Sequence, residues 1–220
     1  MKIKGNYYWL LLLIPLLFVG WYFINKNEQK PLRTLPYFGQ KIIKGNDTTF
    51  HTVKPFLFTD QYNESATEET VKNKIYVTDF FFTTCQSICP VMSNELERVY
   101  KKFENNKDVL ILSHTVAPEE DSVNVLMDYA NLHGVKDKRW LFLTGEKKHL
   151  YDMARTGYLL NAEEGNGDED DFIHTQNFAL VDKERYLRGF YDGTDSIEVS
   201  RLIMDINLLL EEYAYKEKHK

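Results

Sequence analysis

The chain holds two cysteines in 220 residues, and both fall in the run Cys85-Gln86-Ser87-Ile88-Cys89-Pro90. The apolar stretch 75–82 (IYVTDFFF) precedes them and reads as a buried strand; Pro90 and residues 91–103 read as a helix beginning. Thiols at i and i+4 of a helical turn project from one face. Sulfurs placed in this way can close on each other, or they can clamp one soft metal ion. A structural zinc site wants four closed ligands, and no further cysteine is present to complete one. A purely structural disulfide would close a very small loop and remove little chain entropy. Burial as small hydrophobes is the plainer alternative, but two strays four apart at a strand-to-helix turn would be a coincidence. A redox pair or a metal pair remains.

Elements on both sides must hold that turn in place. Residues 109–116 (VLILSHTV) read as a second buried strand, broken by Pro118. Ser122 caps a helix that ends near Leu132, with His133-Gly134 as its stop. Residues 140–144 form a third strand and 147–155 a third helix. Residues 177–182 and 186–191 flank a turn at 183–185 and read as a hairpin, and 196–212 is a final helix with apolar positions at helical spacing. Turn signals between short alternating runs place one or two hairpins in 37–60. Strands alternating with helices imply a parallel core, to which the closing hairpin adds antiparallel strands. The expected fold is α/β, of thioredoxin-like order, with an N-terminal β-hairpin extension and an inserted strand and helix.

This topology brings a third group toward the cysteines. Sites form at the carboxyl edge of parallel strands, and Cys85 follows the first of them. The first strand of the closing hairpin runs antiparallel to it, so its amino end lies at that same edge. Just ahead of it stand Asp171-Phe172-Ile173-His174-Thr175, and His174 can approach the thiols across 85 residues of chain. His114, near the end of the second strand, is the rival. His133 reads as a helix-end residue, and His51, His149 and His219 as exposed.

The run Phe80-Phe81-Phe82-Thr83-Thr84-Cys85-Gln86-Ser87-Ile88-Cys89-Pro90 resembles the CxxxCP signature of the Sco/SenC family. Also similar are Ala117-Pro118-Glu119-Glu120-Asp121 after the second strand, and His174 ahead of Phe178-Ala179-Leu180-Val181-Asp182. The resemblance runs from about Lys54 to the last helix and implies a thioredoxin-like domain. The resemblance further implies that this domain binds one copper ion, through residues that correspond here to Cys85, Cys89 and His174. It implies a membrane-anchored protein that assists maturation of the binuclear copper centre of cytochrome c oxidase. The implied partners are a copper-receiving oxidase subunit and a thiol reductant. One departure is visible: the family often has Asp-Pro where this chain has Ala117-Pro118.

Thiolates suit Cu(I), imidazole suits both copper oxidation states, and a partly open three-ligand site can release its ion by exchange. A helix start near Cys89 is expected to lower the thiol pKa values. The competing reading is an enzyme, a thiol-disulfide reductase with Cys85 and Cys89 as its redox pair. Against it, oxidoreductases of this fold place two residues between the cysteines and a proline before the hairpin, whereas here there are three residues and no proline after Pro118. The balance favours a carrier over an enzyme.

Residues 7–24 (YYWLLLLIPLLFVGWYFI) carry no charge and as a helix would span roughly 27 Å. Aromatic residues stand at both ends, and no small-residue cleavage site or lipid-accepting cysteine follows. The organisation expected is a transmembrane anchor at 1–24, a linker at 25–36, the domain at 37–216 and a tail at 217–220. Lys2 and Lys4 on one flank and Lys26, Lys30 and Arg33 on the other leave the orientation open, and the family resemblance implies that the domain lies on the extracytoplasmic side. Net charge is −6, and Lys2 and Lys4 are the only charged residues before Asn25, so the remainder carries −6 − 2 = −8. That disfavours nucleic acid as a partner. The acidic segment 163–171 (EEGNGDEDD) reads as a solvated loop.

Overall fold

A computed structural model describes residues 15, 21, 33–44, 47–160 and 175–219. The chain divides into two units, Met1–Arg33 and Thr34–Lys220. The proposed anchor and most of the linker, the acidic segment and His174 lie outside the described residues. Among the described residues no helix is long and apolar enough to cross a membrane.

The second unit opens with a two-stranded hairpin, β1 (Lys41–Lys44) and β2 (Asp47–Phe50), where turn signals placed one. A seven-stranded sheet follows, built from β3 (Leu57–Asp60), β4 (Ser65–Thr67), β5 (Ile75–Phe81), β6 (Val109–Thr115), β7 (Trp140–Thr144), β8 (Asn177–Val181) and β9 (Leu187–Asp192). Its order is β4-β3-β7-β6-β5-β8-β9. Strands β5, β6 and β7 are parallel; β3 and β8 flank them antiparallel, and β4 and β9 close the edges. Strands β5 and β6 are buried at every position, as parallel strands covered on both faces must be.

The helices are α1 (Ile88–Lys102), α2 (Val123–Leu132), α3 (Lys147–Asp152) and α4 (Ser196–Lys218). On one face of the sheet, Ile75, Val77 and Phe81 pack with Met92, Leu96 and Val99 of α1, Leu126 of α2, and Leu202, Ile206 and Leu209 of α4. On the other, Tyr76 and Phe80 pack with Phe58, Leu150 and Tyr158. Helix α2 stops where expected. Gly134 takes φ +68°, a value only glycine adopts freely, and the Val135 N–H returns to the Ala130 carbonyl at 3.0 Å.

Three local features differ from the expectations. Helix α1 begins at Ile88, ahead of Pro90, because proline is tolerated in a first turn where its missing N–H would be unpaired anyway. The third helix is α only to Asp152; Met153–Gly157 form a π turn, with the Tyr158 N–H on the Met153 carbonyl at 2.8 Å. Helix α4 outlasts its apolar stripe and reaches Lys218, supported by the Glu212–Lys216 pair at i,i+4.

Candidate metal and thiol centre

Strand β5 ends at Phe81, and the chain turns at once, the Cys85 N–H closing on the Phe82 carbonyl at 3.2 Å. Cys85 is half-buried ahead of α1; Cys89 is buried within the first turn. The sulfur of Cys85 accepts the Cys89 N–H at 3.4 Å, and the Ser87 hydroxyl lies 3.7 Å from that sulfur. Ser87 occupies the N-cap position, yet its side chain caps nothing. The Cys85 sulfur takes that task, satisfying an N–H that every helix start leaves orphaned.

Two adjacent thiols therefore ionise very differently. Burial opposes ionisation of Cys85, but hydrogen bonds from the Cys89 thiol and from the Ser87 and Cys89 backbone outweigh it, lowering Cys85 to about 7. Burial pushes Cys89 up to about 12, with Cys85 and then the buried carboxyl of Asp79 adding to the effect. The expectation that the helix start lowers both thiols holds for Cys85 alone. Cys89 sits inside the turn and points to the core, where desolvation wins.

Below the turn, Asp79 stands opposite Ser113 in the parallel register of β5 and β6. Ser113 donates to Asp79 Oδ1 at 2.5 Å and accepts from Trp140 Nε1 at 2.9 Å. Burial raises the Asp79 carboxyl to about 7, against the smaller lowering effect of that hydroxyl. Asp121 also comes to this edge. Its carboxylate accepts from the backbone N–H and hydroxyl of Thr83 and from the hydroxyl of Thr115. A lone acid inside an apolar strand is the sequence signal for Asp79; Asp121 is marked only as the last residue of the run 117–121, which does not show that its carboxylate turns inward.

The two histidine candidates separate. His114 is fully buried on the face of the sheet away from Cys89, its ring stacked on Phe80 at 4.9 Å and its Nδ1 3.1 Å from the Thr78 hydroxyl. Burial holds it neutral down to about 3. The structure does not bring it to the thiols. His174 lies outside the described residues. Its neighbour Thr175 leads into β8, which runs antiparallel to β5 with Thr78 opposite Ala179, so the amino end of β8 lies at the cysteine edge. His51, expected to be exposed, is half-buried, its Nε2 2.8 Å from the Gly157 carbonyl. His133 caps α2 and meets Glu97 at 2.9 Å. No cluster of three metal-ligating side chains occurs among the described residues.

This mixed α/β fold, with thiols at the turn after the first of its parallel strands, matches known proteins. Residues 44–211 match the SCO1/SenC family, and the chain belongs to that family. The SCO1 protein homolog of Bacillus subtilis (strain 168) is 30% identical over 170 residues, spanning 76% of this chain and 86% of the relative. Among solved structures, BsSco shares 29% identity with TM-score 0.61, over 71% of this chain and 92% of that one. It is reported as a member of the Sco family of cytochrome c oxidase assembly proteins in which a disulfide switch was identified. Bradyrhizobium japonicum ScoI, solved with copper bound, has TM-score 0.57 at 20% identity, covering 72% of this chain and 99% of that one, and speaks for the fold.

Proposed function

We propose that this protein is a copper carrier whose Cys85, Cys89 and His174 hold one copper ion and hand it to a cytochrome c oxidase subunit during assembly of the binuclear copper centre. The observation that carries the reading is the thiol pair itself, one sulfur near its ionisation point and accessible, the other buried and protonated. The donor set suits the ion: two soft sulfurs four residues apart, and the imidazole of His174, which in sequence directly precedes Thr175 at the entry to β8. Cu(I) binding must displace the proton of Cys89, which makes affinity rise with pH. The copper-bound Sco relative and the assembly role of BsSco support the same reading. Residues 7–24 would anchor the domain, on the extracytoplasmic side of its membrane.

The split in thiol ionisation also favours a second reading, a thiol-disulfide reductase that keeps the client cysteines open. Cys85 thiolate would attack a client disulfide, releasing one client thiolate. Cys89, losing its proton, would then displace the other and leave a Cys85–Cys89 disulfide, two electrons having passed to the client. The deciding experiment incubates the copper-loaded domain with an apo oxidase-subunit fragment, alongside free copper. Transfer from the domain in excess of the free-copper control supports the carrier. No transfer, with efficient reduction of the fragment's disulfide, sinks it in favour of the reductase.

A further inference from the structure

We infer that Asp121 is the positioning residue of the cysteine turn, setting where the Cys85 sulfur stands against the start of α1. Asp121 is 1% exposed, and among the described residues no cation pairs with it. Burying a lone carboxylate is costly unless donors surround it. Here three do. The Thr83 hydroxyl and N–H reach it from the turn, the N–H at 3.3 and 3.4 Å from the two oxygens, and the Thr115 hydroxyl reaches it from the end of β6.

The placement of those donors makes the carboxylate a clamp. Thr83 lies between the last residue of β5 and Cys85, and the Cys85 N–H is bonded one residue back, to Phe82. The loop carrying Asp121 is itself fixed. The Asp121 N–H returns to the Ala117 carbonyl at 2.9 Å, the Ala117 N–H bonds the Thr115 hydroxyl at 2.9 Å, and the Val116 N–H bonds the Phe81 carbonyl at 2.9 Å. The carboxylate thus ties a rigid loop to the middle of the turn that delivers the sulfur. The sulfur in turn meets the Cys89 N–H at 3.4 Å, a contact with little slack.

This inference rests on Cys85 being the working thiol, whichever chemistry it does. The test uses the full chain, metal-free, and follows amide hydrogen exchange at Cys89, whose N–H is held by the sulfur and touches neither Asp121 nor Thr83. In Asp121→Ala, exchange at Cys89 should rise at least tenfold while Leu96, deeper in the same helix, stays protected. Cu(I) affinity by chelator competition should fall at least tenfold in parallel. Thr83→Val should give a smaller change, Thr83→Ser none, and Asp121→Asn an intermediate one. Leu187→Ala, a core truncation at the start of β9, should leave both readouts alone although it lowers stability. Should Asp121→Ala fail to fold, Thr83→Val and Asp121→Asn carry the test. Wild-type exchange at Cys89 in the folded Asp121 and Thr83 variants overturns the inference. So does a loss in Leu187→Ala as large as theirs, which would make the effect one of stability. Failure of the wild-type chain to bind copper would overturn the copper reading and leave the exchange test standing.

Discussion

Two buried polar clusters, one on the edge strand β9 and one on the interior strand β5, are built on opposite plans. Away from the cysteines, the Arg188 guanidinium is fully buried and matched on every side. It donates to Asp182 at 2.7 Å, to Glu212 at 3.1 Å, and to the carbonyls of Leu35 and Pro36 at 2.8 and 3.2 Å, with the Tyr37 ring stacked 4.3 Å away. Beneath the cysteines, Asp79 is as deeply buried but has one hydroxyl for company and no paired cation among the described residues. The first cluster ties the segment entering the domain to β9 and α4, where a fixed charge distribution serves structure. The second leaves a carboxyl balanced between protonated and ionised under the Cys89 thiol, whose proton the proposed copper binding would displace. Uncompensated burial stands beneath the thiols proposed to do the chemistry, and compensated burial where the chain is fastened.

Breaking the compensated cluster should cost the most. Arg188→Met removes the guanidinium from two buried carboxylates and leaves Asp182 with no cation beside it among the described residues, and loss of one partner from a buried ion pair costs about 3–5 kcal/mol. Urea denaturation at pH 7 should show a loss of that size. A loss below about 1 kcal/mol would mean that Asp182 and Glu212 find water, and the contrast between the clusters would collapse.

The uncompensated cluster should appear in the pH dependence of stability. Asp79 is raised from 3.8 to about 7, so the native state holds a proton that the unfolded state releases. Its effect is absent below pH 4, grows against folding as pH rises, and is complete above 7, at about 4 kcal/mol for three pKa units. His114 is lowered from 6.5 to about 3, so its stability contribution is whole above 6.5 and is lost as pH falls toward 3. Between about pH 4 and 6.5 the two slopes oppose, each about 1.4 kcal/mol per pH unit, and the wild-type profile should be nearly flat there. Asp79→Asn should turn that plateau into a rise with pH of about one proton, seen by denaturant titration at several pH values. A wild-type profile that already rises with pH in this range would show that Asp79 is ionised at pH 4, and a plateau that persists in the variant would show that His114 is not held neutral there either.

Much of this architecture can be read along the chain, and the parts that cannot share a cause. Strands β5, β6 and β7 are long apolar runs, the helices between them keep a 3.6-residue rhythm, and the cysteines announce themselves by type and spacing. Strand β4 is three residues of Ser65-Ala66-Thr67, too short and too polar to carry a pattern; it exists because β3 offers it an edge. The π turn at Met153–Gly157 depends on one shifted hydrogen bond that no composition signals. The thiol split hinges on whether the helix starts before or after Cys89, a matter of two residues that Pro90 obscured. The roles of Asp79 and Asp121 exist only across strands, 34 residues from Ser113 and 38 from Thr83. Local pattern reaches the elements and the reactive types, whereas ionisation is set by neighbours distant in sequence.

That ionisation difference is open to a kinetic check. At pH 7 about half of Cys85 is thiolate, while Cys89 is almost wholly protonated and buried. Iodoacetamide should alkylate the native Cys89→Ser variant at Cys85 at least tenfold faster than it alkylates the native Cys85→Ser variant at Cys89. Equal rates would mean that the first turn of α1 opens readily, and that Cys89 does not share the rigidity of the core below it.

The smallest effect belongs to Glu212, a carboxylate that touches both a buried and an exposed cation. Glu212 gives Oε2 to Arg188 and Oε1 to Lys216 at 2.7 Å, and the Lys216 side chain is 42% exposed. The two bonds are alike in charge; the one to Lys216 is the shorter, and they differ in solvent. Lys216 stays hydrated whether or not the pair forms, so water and salt screen most of the attraction. Its ammonium also lies 4.9 Å from the Tyr213 ring, a contact that solvent weakens in the same way. Lys216→Ala should therefore cost no more than about 1 kcal/mol at low salt and less at 1 M salt, because Glu212 keeps Arg188 as its partner. Arg188→Met should be nearly indifferent to salt, since its partners lie beyond the reach of mobile ions. Should Lys216→Ala prove as damaging as Arg188→Met, the charge of Glu212 would be held chiefly from the surface. The stability of this edge would then come from pairing in general and not from burial.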